Sequence, residues 1–165
     1  MGKNNTHEVT KLSILIALTV IMTMVVSIPI VGGNGYVNLG DMVIFLAALM
    51  LGKKSAFLVG GLGSFLADLL LGFGIYAPAS FIIKGLEGFI AGYLIEKKLS
   101  GRYPILATIV AGLWMAFGYY IFEIFLYGSK GALASVPANL AQGVLGALAS
   151  IILYTALKRT KLFKI

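Results

Sequence analysis

The chain has 165 residues, 59% of them hydrophobic and 12% charged, against about 25% charged in a soluble domain. It has no cysteine and one histidine, His7, so disulfide scaffolds, thiolate metal sites, histidine metal centres and serine–histidine catalysis lack their parts. Its net charge of +7 is spread in a way that answers to a bilayer and not to nucleic acid.

In chain order, the first apolar stretch covers residues 12–30, long enough to cross a core of about 30 Å. It exceeds a signal-peptide core and ends in VSIPIVGG with no A-x-A site, so it is expected to be a retained helix. The Gly/Asn-rich loop GGNGYVNLGD leads to a short apolar run, 42–51, closed by Gly52, Lys53 and Lys54. A third span covers 55–71, and GFGIYAP turns the chain into a fourth, 79–95, closed by EKKLSGRYP. A fifth covers 105–127; the loop GSKGALASVP follows, then a sixth span, 138–157, and the tail KRTKLFKI. The expectation is an all-α membrane protein, a bundle of six transmembrane helices forming a single integral membrane domain over residues 1–165. The short second span would cross by tilting, local thinning or extension back through its loop.

An even number of crossings places both termini on one side. Lys3, Lys11, Lys53, Lys54, Lys97, Lys98, Arg102, Lys158, Arg159, Lys161 and Lys164 then share that side, 11 of the 13 Lys and Arg. The positive-inside rule makes it the cytoplasm. Only Lys130 lies in an opposite loop, and Lys84 lies within a span. The basic excess reads as topology and attraction to the lipid bilayer, with no nucleic acid needed.

The embedded polar residues fall together. Asn38 and Asp41 precede or begin the second span, Asp68 lies near the outer end of the third, and Lys84 and Glu87 lie in the outer half of the fourth. Glu123 lies near the outer end of the fifth, and Asn139 and Gln142 lie in the first turns of the sixth. The inner halves are apolar or small. Charges at the bilayer centre cost about 2.5–3.5 kcal/mol even on insertion scales, so embedded ionisable groups point to a functional cavity. Lys84 and Glu87, three apart, share one helix face and can pair; that face is expected to point into the cavity with Asp68 and Glu123. Tyr36, Tyr76, Tyr119, Tyr120 and Tyr127 fall near the same side. Some fit an interfacial belt, while Tyr76 and Tyr119 are candidates for a stacking face against a flat ligand. Trp114 lies deeper, as packing.

Small residues recur four apart at Ser13/Ala17, Gly88/Gly92, Ala107/Ala111 and Gly146/Ser150. Such spacing lets helices approach closely, and one pair can dock a partner helix.

The GYVNLGD loop, GGLGSFLADLLLGFGIYAP around the third span and FIIKGLEGFIAGYL in the fourth, in this order within short spans, resemble the substrate-binding S-component of an energy-coupling factor (ECF) vitamin transporter. The resemblance covers almost the whole chain. It implies high-affinity capture of a vitamin-like small molecule from outside the cell membrane, with a transmembrane coupling subunit and two ATPase subunits as partners. It also implies that the binding protein topples within the membrane to deliver its ligand. No cofactor is expected in this chain: it has no GxxxxGK[ST] motif, so ATP would be hydrolysed by the partners. In that family an Ala-xxx-Ala patch on the first helix docks the coupling subunit; Ser13 and Ala17 match it with serine in the first place. The motif set is similar to members for the thiamine pyrimidine precursor and vitamin B6 forms, with riboflavin-type members near. The carboxylates offer acceptors for ring amino groups, hydroxyls or a cationic ligand.

Two other classes compete. A stand-alone proton-coupled carrier would use Asp68, Glu87 and Glu123 as a relay, but the polar-poor inner halves and the lack of an internal repeat oppose it. A membrane enzyme would need Lys84 as a Schiff base or Glu123 as a base, and the catalytic inventory is poor.

Overall fold

The structure, a computed structural model, describes residues 3–30, 35–100 and 103–159, with side chains described from residue 6 onward. Arg102, Lys161 and Lys164 of the basic set therefore lie outside the described residues.

Helix α1 spans Lys3–Val25, earlier than the expected 12–30. The polar start NNTHEVTK continues the helix, and Ile28-Pro29 ends it differently, because those residues leave for a strand. The strand β1, Ile28–Pro29, pairs antiparallel with β2, Tyr36–Val37, in the register Ile28 to Val37 and Pro29 to Tyr36. This small hairpin falls in what reads in sequence as plain loop. The helix α2 spans Gly40–Leu51, α3 Lys53–Leu70, α4 Ala77–Glu96 and α5 Pro104–Arg159.

The run α5 is not one straight rod. Its 56 residues would extend about 84 Å at 1.5 Å per residue, nearly three bilayer cores. At Gly128 the backbone takes φ 73 and ψ 171, a conformation that glycine reaches without steric cost. The helix breaks there into two arms, 104–127 and 129–159, which pack on each other. A Cβ built on Gly112 of the first arm would lie 3.0 Å from the Gly143 Cα of the second. The expected loop GSKGALASVP is thus helical from its second residue on, and the reversal needs Gly128 alone.

Among the described residues, Thr6–Val25, α4 and α5 are long and apolar enough to cross a membrane. The helix α2 is too short, about 18 Å for its 12 residues. It occupies the centre of the bundle. Val43, Ile44, Phe45, Leu46, Ala47 and Ala48 are all buried, and α1, α3, α4 and α5 surround it. A helix that is apolar all round is one that is covered all round.

Glycine sets the closest approaches. A side chain at Gly88 would collide with the Ala56 carbonyl, and one at Gly92 with the Lys53 backbone, so α4 meets α3 backbone to backbone. The Gly88/Gly92, Ala107/Ala111 and Gly146/Ser150 pairs are all buried within the chain, whereas Ser13 and Ala17 are exposed. The apolar core clusters at the end of the bundle away from the hairpin, around Leu15, Phe45, Leu46, Val59 and Ala147, closed by Leu12, Ile105 and Leu153. The buried Thr108 and Ser150 in this half donate to carbonyls of their own helix, Ile105 and Ala147. Trp114 packs part-buried, its Nε1 donating to the Ile83 carbonyl at 3.3 Å.

Candidate functional site

At the hairpin end the helices diverge around a small cavity lined mostly by polar and aromatic side chains. Each wall follows from helical spacing, because residues four apart on one helix share a face. Helix α3 contributes Ser64 and Asp68, and α4 contributes Ser80 and Lys84 with Tyr76 one turn before them. The first arm of α5 contributes Tyr119 and Glu123, and the second Asn139 and Gln142. Tyr36 and Asn38, flanking α2 on the hairpin side, close over the top with Ile30 and Gly35.

Below the cavity lies a buried ionic network. Lys84 Nζ donates to Asp41 Oδ1 and lies 3.3 Å from Glu87 Oε2. Gln142 Nε2 donates to Asp41 Oδ2 at 3.0 Å, and Gln142 Oε1 accepts the Asn38 backbone N–H at 2.8 Å. The network ties the segment between β2 and α2, α2 itself, α4 and the second arm of α5 to one point. Lys84 also lies 5.8 Å from the Tyr119 ring centroid, a cation–π contact. Burying two carboxylates beside one ammonium is tolerable only where the partners are held this closely.

Above the network, two carboxylates are arranged alike. The Tyr36 hydroxyl donates to Asp68 Oδ1 at 2.5 Å, and the Tyr76 hydroxyl donates to Glu123 Oε1 at 3.3 Å. The second oxygens, Asp68 Oδ2 and Glu123 Oε2, are buried without a hydrogen-bond partner. Ser80 Oγ and Tyr119 Oη lie 2.7 Å apart, either serving as donor. An aromatic wall joins these groups: Tyr36 packs on Phe73 at 4.9 Å between centroids, and Tyr76 packs on Phe73, Tyr119 and Phe122 at 6.2, 6.5 and 5.4 Å. Burial, and then the Asp68 charge, hold the Tyr36 phenol far above its ordinary range, so it remains a donor.

Of the residues singled out in sequence, Asn38, Asp68, Tyr76, Lys84, Tyr119, Glu123, Asn139 and Gln142 line the cavity. Asp41 and Glu87 do not. Both are fully buried one layer below, where they hold Lys84. The expectation that the Lys84–Glu87 face points into the cavity is therefore corrected for Glu87: Lys84 reaches the lining, and Glu87 turns beneath it. Asn38 lines the cavity, but its side-chain oxygen is occupied by the Gly40 N–H and the Thr23 hydroxyl. Tyr127 and Lys130 are exposed and are not among the residues that line the cavity. Sequence reasoning missed Ser64, Ser80, Phe73 and Thr23. The serines had a signal: each lies four residues before a charged residue already chosen, Asp68 or Lys84, on the same helix face. Phe73 and Thr23 had none. No cluster of three or more His, Cys, Asp and Glu suited to a metal occurs among the described residues.

This arrangement can hold a small, flat, polar molecule between tyrosine faces and carboxylate acceptors.

Comparison with known proteins agrees. Residues 3–159 match a family model described as the S component of the ECF-type riboflavin transporter. The thiamine precursor transporter HmpT of Lactococcus lactis subsp. cremoris is 33% identical over 161 residues, which cover 97% of this chain and 93% of HmpT. An uncharacterized protein of Pyrococcus woesei is 36% identical over 126 residues, covering 76% of this chain and 84% of that protein.

Proposed function

Because this chain belongs to the ECF-type riboflavin transporter S-component family, we propose that it captures a water-soluble vitamin precursor, the thiamine pyrimidine precursor first among them, for ATP-driven uptake. The family is one of transporter components, so transport and not catalysis is its task. The observation that carries the reading is the polarity of the bundle: a buried polar cavity at the hairpin end stands over a half whose core, among the described residues, is apolar. A channel or a simple carrier needs polar groups along its whole route. A binding protein that is moved as a body by partners does not.

The choice of the pyrimidine precursor rests on HmpT, whose similarity spans nearly the whole chain, and on the acidic, tyrosine-walled cavity. Riboflavin is the second reading, favoured by the family description and by the aromatic wall; vitamin B6 forms share the same chemistry. The partners are a transmembrane coupling subunit and two ATPase subunits, which hydrolyse the ATP.

Six helical passes result when the two arms of α5 are counted separately and the short α2 completes its crossing by local thinning of the bilayer or with the segment that leads into it. Both termini then lie in the cytoplasm of a multi-pass cell-membrane protein, as the basic residues require. Ser13 and Ala17 suit the docking face. They are the exposed pair among the four small-residue pairs and line a shallow groove with Ile16, Val20, Ile21 and Leu66.

Proteoliposomes test the reading. Labelled hydroxymethylpyrimidine should accumulate only when this chain is reconstituted with the coupling and ATPase subunits and ATP. Uptake by this chain alone, driven by a pH gradient without ATP, would favour the proton-coupled carrier instead.

A further inference from the structure

The two tyrosine-held carboxylates specify more than a polar site. Resting on the capture reading above, we infer that the cavity selects the unphosphorylated form of its ligand, a neutral or cationic ring bearing hydrogen-bond donors on two sides, and rejects the phosphate ester of the same compound.

The argument begins with unused acceptors. Asp68 Oδ2 and Glu123 Oε2 are buried and have no hydrogen-bond partner. In each case the other oxygen accepts from a tyrosine hydroxyl, Tyr36 or Tyr76, and that bond fixes how the carboxylate is turned. The nearby Ser80 hydroxyl is engaged with the Tyr119 hydroxyl at 2.7 Å. A buried acceptor without a donor is costly, and the cost is relieved when a ligand supplies the donor. Asp68 comes from α3 and Glu123 from the first arm of α5, and both residues line the cavity, so the two carboxylates stand on separate walls. A ring with an amino group at one edge and a hydroxyl or protonated nitrogen at another meets both.

The cation count completes the argument. Lys84 is the one basic residue among those described as lining the cavity, and Asp41 and Glu87 already hold its ammonium. A phosphate monoester brings about −1.5 to −2 charges at neutral pH. Here it would meet carboxylates and phenol oxygens, with no uncommitted ammonium or guanidinium to receive it. Charge-matched phosphate sites are built from arginine forks or lysines, and among the described lining residues the single lysine is already held by two carboxylates.

Calorimetric titration of the purified wild-type chain in detergent tests this with four probes: hydroxymethylpyrimidine, its monophosphate, riboflavin and riboflavin monophosphate. Whichever parent binds should do so about a hundredfold or more tighter than its ester, and Asp68→Asn and Glu123→Gln should each weaken the parent about tenfold or more. If a variant fails to fold, the wild-type comparison of parent with ester decides alone. An ester that binds as tightly as its parent overturns the inference and leaves vitamin capture standing. So do carboxamide variants of wild-type affinity. If no probe binds but a vitamin of another class is taken up in proteoliposomes, the donor-ring inference alone falls. If no probe binds and no vitamin is taken up, the capture reading itself falls.

Discussion

Tyr36 and Asp68, 32 residues apart in sequence, meet across 2.5 Å, and this bond fastens the hairpin to α3 over the mouth of the cavity. A hydrogen bond to a charged acceptor is worth about 1.5–3 kcal/mol. Tyr36→Phe keeps the ring on Phe73 and removes only the hydroxyl, so ligand dissociation should accelerate about tenfold while association changes little. Stopped-flow measurement of both rates checks this. An unchanged dissociation rate would mean that the hairpin does not hold the ligand in.

Lys84 is predicted to matter first for folding. Lys84→Met leaves Asp41 and Glu87 buried and uncompensated, which should destabilise the protein by about 3–5 kcal/mol and lower the melting temperature in detergent. Removing both carboxylate charges as well, with Asp41→Asn and Glu87→Gln, should recover most of that loss. A wild-type melting temperature for Lys84→Met alone would contradict the network.

The α3–α4 contact predicts a contrast between two glycines. Gly88→Val pushes a branched side chain into the Ala56 carbonyl and should cost about 1–3 kcal/mol or more, as overpacking does. Gly74, in the α3–α4 turn, has open space around it, so Gly74→Ala should stay within about 0.5 kcal/mol of wild type. Thermal unfolding of the two variants side by side checks the difference.

A bulky residue on the exposed face of α1 should separate binding from delivery. Ala17→Trp fills the groove beside Ile16 and Leu66 without touching the cavity, so ligand affinity should match wild type while ATP-driven uptake falls at least about tenfold. Equal loss of affinity and uptake would show that α1 supports the cavity instead of docking a partner.

Much of this was legible in sequence because charges in an apolar chain are few and each needs a reason. Asp68, Lys84 and Glu123 stand where lipid would exclude them, and their depth groups them; Ser64 and Ser80, four residues before Asp68 and Lys84, are found only when the helical period is followed from those charges. The division between lining and support was not legible. Lys84 and Glu87 are one turn apart, and nothing local says which faces the cavity; that depends on Asp41, 43 residues before Lys84, arriving from the central helix α2. The same long-range dependence hid the role of α2, since a short apolar run reads alike as a weak membrane span or a covered core helix. The hairpin escaped notice because two paired residues on each strand leave no period to detect. Gly128 opens what reads in sequence as a ten-residue loop, whereas one positive-φ residue is enough to turn the chain.

The central claim is that this chain by itself binds a vitamin or vitamin precursor tightly. The most direct measurement is mass spectrometry of small molecules released from the purified chain, followed by titration of the identified compound back into the emptied protein. The account predicts an aminopyrimidine or a related B-vitamin ring that rebinds with a submicromolar Kd. No vitamin-like ligand, together with no submicromolar binding across the B vitamins and their precursors, would contradict it.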